Sequence, residues 1–151
     1  VASPLPMRVL DLQVIQKLVE LKAVVICGGG GGIPVVKKDN HYVGVPAVID
    51  KDRLSSLLAI ELQADALIIS TAIDCVKTGF GSDEEVSHNS LTIDQCEKFM
   101  EENEFPVGSM GPKIGSLMEA ALHNPKCKAI LCQPGDAMKA LRGEAGTTIH
   151  Q

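Results

Sequence analysis

Apolar positions along the chain alternate between helical periodicity and short continuous runs. Leu12, Ile15, Leu18 and Val19 recur at helical spacing and predict an amphipathic helix over Asp11–Leu21. Ala23–Cys27 is a continuous apolar run, the pattern of a buried strand, and it passes directly into five glycines, Gly28–Gly32. Val35–Val43 has apolar ends around Lys37-Lys38-Asp39-Asn40, as a solvent-exposed hairpin does. Ala47-Val48-Ile49 predicts a brief strand that meets Asp50-Lys51-Asp52, and Leu54, Leu57, Leu58 and Leu62 predict a second helix. Ala66–Ser70 reads as another buried strand, followed by a long polar loop through Asn89. Thr92 with Gln95 three residues later is a capping box that opens a third helix. Gly108–Lys113 is a second glycine turn; it feeds a fourth helix with Ile114, Leu117, Met118 and Ala121 on one face and Pro112 in its first turn. Ala129–Cys132 predicts a strand, Asp136–Leu141 a short helix and Gly146–Ile149 a closing strand.

This order predicts an α/β fold, a three-layer αβα sandwich around a mostly parallel sheet. No linker divides the chain, so residues 1–151 are expected to form one unit. Ligand sites in such folds gather at the carboxyl ends of the strands.

Composition narrows the chemistry. With no Trp, one Tyr (Tyr42) and three Phe, the core has to be aliphatic. A net charge of −5 argues against a nucleic-acid partner but leaves room for a nucleotide, whose phosphates need only local cations. No apolar run is long enough to span a bilayer, and Val1–Leu10 lacks the apolar stretch of a signal peptide. The odd set Cys27, Cys75, Cys96, Cys127 and Cys132 has no C-x-x-C pair, which fits reduced, mostly buried thiols in a cytoplasmic protein. His123, Cys127 and Cys132 lack the second ligand pair of a structural metal site, so no metal site is expected.

Four segments could carry chemistry. Gly28–Gly32 can turn several N–H groups toward an anion, or can simply be a flexible turn; it is neither a dinucleotide fingerprint nor a P-loop. Lys51 stands where the partially positive end of a helix disfavours a cation. Either Asp50 and Asp52 compensate it, or a bound phosphate does. Lys113 occupies a similar place after the second glycine turn, where dipole, free N–H groups and a lysine together suit a phosphate. Ser70–Lys77 leaves a buried strand and could wall a base and ribose, or be a turn capped by Asp74.

Read together, these segments resemble the carbamate kinases of the amino-acid kinase family. The resemblance rests on Ala2-Ser3-Pro4, Val25–Val35 with its glycine run ending in Ile33-Pro34-Val35, Ala47–Asp52, Ala64–Leu67, Phe105–Lys113 and Gly146-Thr147, all in order. It covers essentially the whole chain and implies the C-terminal half of that fold, with the N-terminal half of the fold as a missing partner. It further implies reversible phosphoryl transfer between carbamoyl phosphate and ADP, giving ATP and carbamate, with Mg²⁺ on the nucleotide and a homodimeric assembly. Carried over by position, Lys51, Asp52 and Lys113 would be catalytic. Asp50, Thr71, Asp74, Val76, Lys77, Met110 and Gly111, again with Lys113, would bind the nucleotide, and Gly28, Gly29, Gly30 and Gly31 would face the phosphoryl or acceptor side. Ala72 and Lys77 depart from the family's acidic residue and tyrosine. A non-catalytic nucleotide-binding half-domain, or a family member with another acceptor, is the alternative.

Overall fold

The computed structural model describes residues 1–106 and 108–151; Val107, just before the second glycine turn, lies outside them. Helix α1 (Leu12–Glu20) comes first, within a residue of its expected limits. Strands β1 (Val35–Lys38) and β2 (His41–Gly44) form the expected exposed antiparallel hairpin, with Asp39 at φ 53° in the turn. Helix α2 (Lys51–Glu61) leads into β3 (Ala66–Ser70). Strands β4 (Val76–Thr78) and β5 (Val86–His88) then pair with each other, and β6 (Ser90–Thr92) runs into α3 (Ile93–Glu101). Helix α4 (Met110–His123), strand β7 (Lys128–Cys132), helix α5 (Ala137–Leu141) and strand β8 (Thr147–His150) complete the order.

The main sheet has the order β3-β7-β8-β6. Two of its three pairings, β3 with β7 and β6 with β8, are parallel, and β7 with β8 is antiparallel. Successive strand residues face opposite sides, and this assigns the layers. Leu67, Ile69, Ala129, Leu131 and Ile149 pack with Ile114, Leu117, Ala120 and Cys96 from the helices on one side. Ile68, Ile130 and Cys132 pack with Ala140 and Leu141 of α5 on the other. The three-layer sandwich is therefore present, with one thick helical layer and one thin one. Gly146 is a required glycine: at φ 78°, a Cβ there would lie 2.4 Å from the Leu131 carbonyl oxygen. No helix among the described residues is long and apolar enough to cross a membrane.

The structure corrects three expectations. Ala23–Cys27 is not a strand and is not buried; Val24 and Ile26 are 95% and 99% exposed. Apolar composition makes a strand only where another strand or layer takes up its backbone and side chains, and among the described residues nothing does. Ala47–Ile49 contributes only a single parallel bridge, Ala47 with Ala2. The polar loop to Asn89 carries a hairpin: β4 and β5 are three-residue strands, as is β6 just beyond it, too short to show a period in the sequence.

Candidate functional site

Asp50 ends an extended segment and caps α2, its Oδ1 accepting from the N–H groups of Asp52 (2.9 Å) and Arg53 (3.1 Å). That commitment fixes where α2 starts and aims the next turn. Asp52 is 6% exposed and turns toward α4, where its Oδ2 accepts from Lys113 Nζ at 2.7 Å. Lys51 Nζ reaches the same oxygen at 3.4 Å. Two ammonium groups from the starts of two helices thus converge on one carboxylate oxygen. The Lys51 side chain is 57% exposed and that of Lys113 only 14%, so one lysine is anchored and the other faces solvent. Asp52 beside it raises the Lys51 pKa above its ordinary value, with Asp50 adding to the effect, and keeps this ammonium charged.

Helix α4 differs from α2 and α3 at its start. Its N-cap, Ser109, makes no side-chain cap bond, whereas Asp50 caps α2 and Thr92 with Gln95 forms the expected capping box on α3. Gly111 is buried; its N–H donates to the Pro106 carbonyl at 3.0 Å, and Met110 is half-buried against the core.

The glycine run packs on the entry to α2. Gly31, at φ 134°, lies so close to Ile49 that an added Cβ would overlap its carbonyl oxygen at 1.7 Å. Gly28, Gly29, Gly30 and Gly32 line an open groove of about 510 Å³ whose other wall is Ile33 and Ala47–Ile49. The glycines and Lys51 therefore belong to one neighbourhood.

The third group emerges at the same edge of the sheet. Helix α2 leads into β3 and α4 into β7 through short turns, which places each helix N-terminus at its strand's carboxyl end. Thr71 leaves β3 there, its N–H donating to the Cys132 carbonyl at 2.9 Å, and Asp74 is exposed just beyond. The Val76 side chain is completely buried in the core, and its N–H donates to Thr147 Oγ1 at 2.8 Å. Lys77 bonds Glu85 at 2.9 Å across the β4–β5 hairpin, an interaction that raises the Lys77 pKa and, with the Gly81 N–H, lowers that of Glu85. Thr147 has a positioning role that its sequence context did not reveal. Wholly buried on β8, it accepts from Val76 and donates to the His88 carbonyl, tying the hairpin to the main sheet.

Among the described residues no cluster of three His, Cys, Asp or Glu side chains could hold a metal ion. The Asp52 and Asp50 carboxylates are already engaged by lysines and backbone amides. The described residues therefore present no ligand cage for a metal ion. The five cysteines are free, and all but Cys27 are buried. Burial pushes the Cys96 thiol up to about 11.

Comparison with known proteins adds the family. The model described as "Amino acid kinase family" matches residues 2–132. A carbamate kinase of Staphylococcus haemolyticus is 40% identical over 151 residues, covering 100% of this chain and 49% of that protein. One from Clostridium perfringens is 41% identical over 149 residues, 99% of this chain and 48% of its own. The solved carbamate kinase of Giardia lamblia bound to AMP-PNP superposes with a TM-score of 0.94 at 32% identity, covering 98% of this chain and 46% of that one. The chain spans about half the length of the curated relatives it matches.

Proposed function

The chain belongs to the amino acid kinase family, and from that premise we propose that residues 1–151 are the nucleotide-binding part of a carbamate kinase-like phosphotransferase. The observation that carries the reading is the convergence of Lys51 and Lys113, from the starts of α2 and α4, on Asp52. Phosphoryl transfer needs in-line positioning and neutralisation of charge on the moving group more than it needs a covalent nucleophile. Lys113, anchored and mostly buried, supplies a fixed positive charge; Lys51, solvent-facing and held protonated, can follow the phosphoryl group between donor and acceptor. Asp52 sets the geometry of both. The glycine groove beside Lys51 suits the phosphoryl or acceptor side, while Thr71, Asp74, Lys77, Met110 and Gly111 suit the nucleotide. Asp50 contributes as the cap that aims α2, and Val76 by holding β4 in the core.

On this reading the donor and acceptor pair is ADP with carbamoyl phosphate, and Mg²⁺ accompanies the nucleotide. The relatives' additional length would complete the acceptor side, pairing with the exposed run Ala23–Cys27. Homodimer formation and a cytoplasmic location with reduced thiols belong to the same proposal. Calorimetry with ADP and a coupled ATP-formation assay test it. ADP should bind this chain weakly and stabilise it by mass action, about 2.7 kcal/mol at a hundredfold excess over Kd, with little or no ATP formed. Joined to the remaining half of the fold, the chain should form ATP from carbamoyl phosphate and ADP. No ADP binding would sink the nucleotide assignment. ADP binding without turnover in the joined protein would instead mark a non-catalytic module, and strong turnover by the 151 residues alone would refute the need for a second half.

A further inference from the structure

We propose that the groove between α2 and α4 is a separate binding site for a small amphipathic monocarboxylate. Arg53, Ser56, Leu57 and Ile60 recur at the spacing of one helical face, and this face of α2 looks across at Gly115 of α4, with Phe105 closing a side. The groove holds about 470 Å³, within the usual range of small-molecule sites. From Arg53 to Ile60 it follows α2 for about 10 Å at 1.5 Å per residue.

Two polar groups in this apolar groove lack partners. Ser56 is 3% exposed, and its Oγ is the one buried side-chain oxygen or nitrogen among the described residues with no hydrogen bond. Buried hydroxyls are normally satisfied, and the serine on the facing helix is: Ser116 donates to the Pro112 carbonyl at 2.8 Å. Arg53 is half-buried and makes no salt bridge among the described residues. The groove's acidic residue, Glu119, is engaged by His123 at 3.2 Å. A half-buried cation without a salt bridge and a buried donor without a partner thus lie together on α2, with Leu57, Ile60 and Phe105 beside them and Glu119 63% exposed to solvent. A carboxylate on Arg53 and Ser56 with an aliphatic tail over Leu57, Ile60 and Phe105 satisfies all of these groups. The phosphotransfer reading rests on other side chains, so the two stand or fall separately.

Octanoate is the probe, titrated into this chain by calorimetry and followed by thermal shift, with octanol as the neutral control. Saturable one-site binding is expected, with octanol and Arg53→Gln each weakening it about tenfold or more, since a charge-assisted bond is lost. Ser56→Ala should weaken it less. Gly115→Leu should abolish it by filling the groove, because an added Cβ at Gly115 meets open space. Gly115→Ala, a smaller fill that favours the helix, should weaken binding and serves if the leucine variant does not fold. Absence of saturable binding, binding indifferent to both Gly115 variants, or octanol binding as well as octanoate overturns the proposal. Concentration-dependent dimerisation abolished by Gly115→Leu, without octanoate binding, would assign the groove to a second copy of the chain and overturn it too.

Discussion

Replacing the two ends of the Asp52–Lys113 pair should have unequal effects on stability. The pair is short, 2.7 Å, and its side chains are 9% and 14% exposed, so it belongs with buried rather than surface ion pairs. Removing one member of a buried pair commonly costs about 3–5 kcal/mol, because the other is left uncompensated. Lys113→Met leaves Asp52 with Lys51, 3.4 Å away on the same oxygen. The residual cost should then be nearer that of a lost charged hydrogen bond, about 1–3 kcal/mol. Asp52→Leu has no such reserve: both ammonium groups lose their partner, one of them mostly buried at a helix start that already disfavours it. That variant should sit at about 3–5 kcal/mol, a large part of the 5–15 kcal/mol typical of a domain. The double variant should lose much less than the sum, because apolar groups of similar size can replace a buried pair at little net cost.

Urea unfolding followed by far-UV circular dichroism measures all three, with unchanged m-values as the check that the folded state is comparable. Equal costs for the two single variants, the reverse order, or simple additivity in the double would refute the shared-carboxylate geometry. On the phosphotransfer proposal, Lys113→Met in the protein joined to the remaining half of the fold should lower kcat by about a hundredfold or more while the fold persists, since a preorganised charge is lost. A fold loss without a kcat loss would leave the pair as structure only.

Two further outcomes follow from the titratable groups. The lowered Glu85 pKa means the Lys77–Glu85 bridge contributes order above the ordinary carboxylate value of 4.5 and loses it as pH falls through the lowered one, while the raised Lys77 pKa preserves it up to and beyond 10.5. Protection factors of the β4 and β5 amides, taken against the intrinsic exchange rate at each pH, should therefore be flat through neutral pH and fall on acidification, and Glu85→Gln should remove that acid step; an acid step surviving the substitution would place its origin elsewhere. A thiol reagent near neutral pH should titrate one cysteine, Cys27, in the folded chain and five after denaturation; rapid modification of Cys96, raised to about 11, would contradict the packing.

Much of the fold was legible in the sequence where elements were long enough to show a period. Helices α1, α2 and α4 announced themselves through apolar spacing, and α3 through a capping box whose two reciprocal bonds are both present. Strands β3 and β7 were visible as apolar runs because both of their faces are covered. The same rule failed at Ala23–Cys27, which has the composition of a buried strand without neighbours. Composition records the environment a segment is suited to, and among the described residues no strand lies beside this one. At about half the length of its relatives, the chain would leave such a run open wherever a strand pairing falls between the two halves of the fold.

The site was legible for a different reason. Lys51 and Lys113 were conspicuous because each opposes a helix dipole, a local rule that needs no knowledge of tertiary structure. Asp52 as their common partner was beyond any local rule, since 61 residues separate it from Lys113. Asp50 shows how one residue type divides between roles: its carboxylate is engaged by the amides that start α2, so its influence on Lys51 is electrostatic and directional. The inward turn of the Val76 side chain was hidden because a three-residue strand gives no phase from which to decide its inward face. What decided it was Thr147, 71 residues away, whose hydroxyl holds the Val76 N–H and draws β4 against the sheet. The charges of the site could thus be placed from sequence, whereas its walls depend on pairings between distant strands.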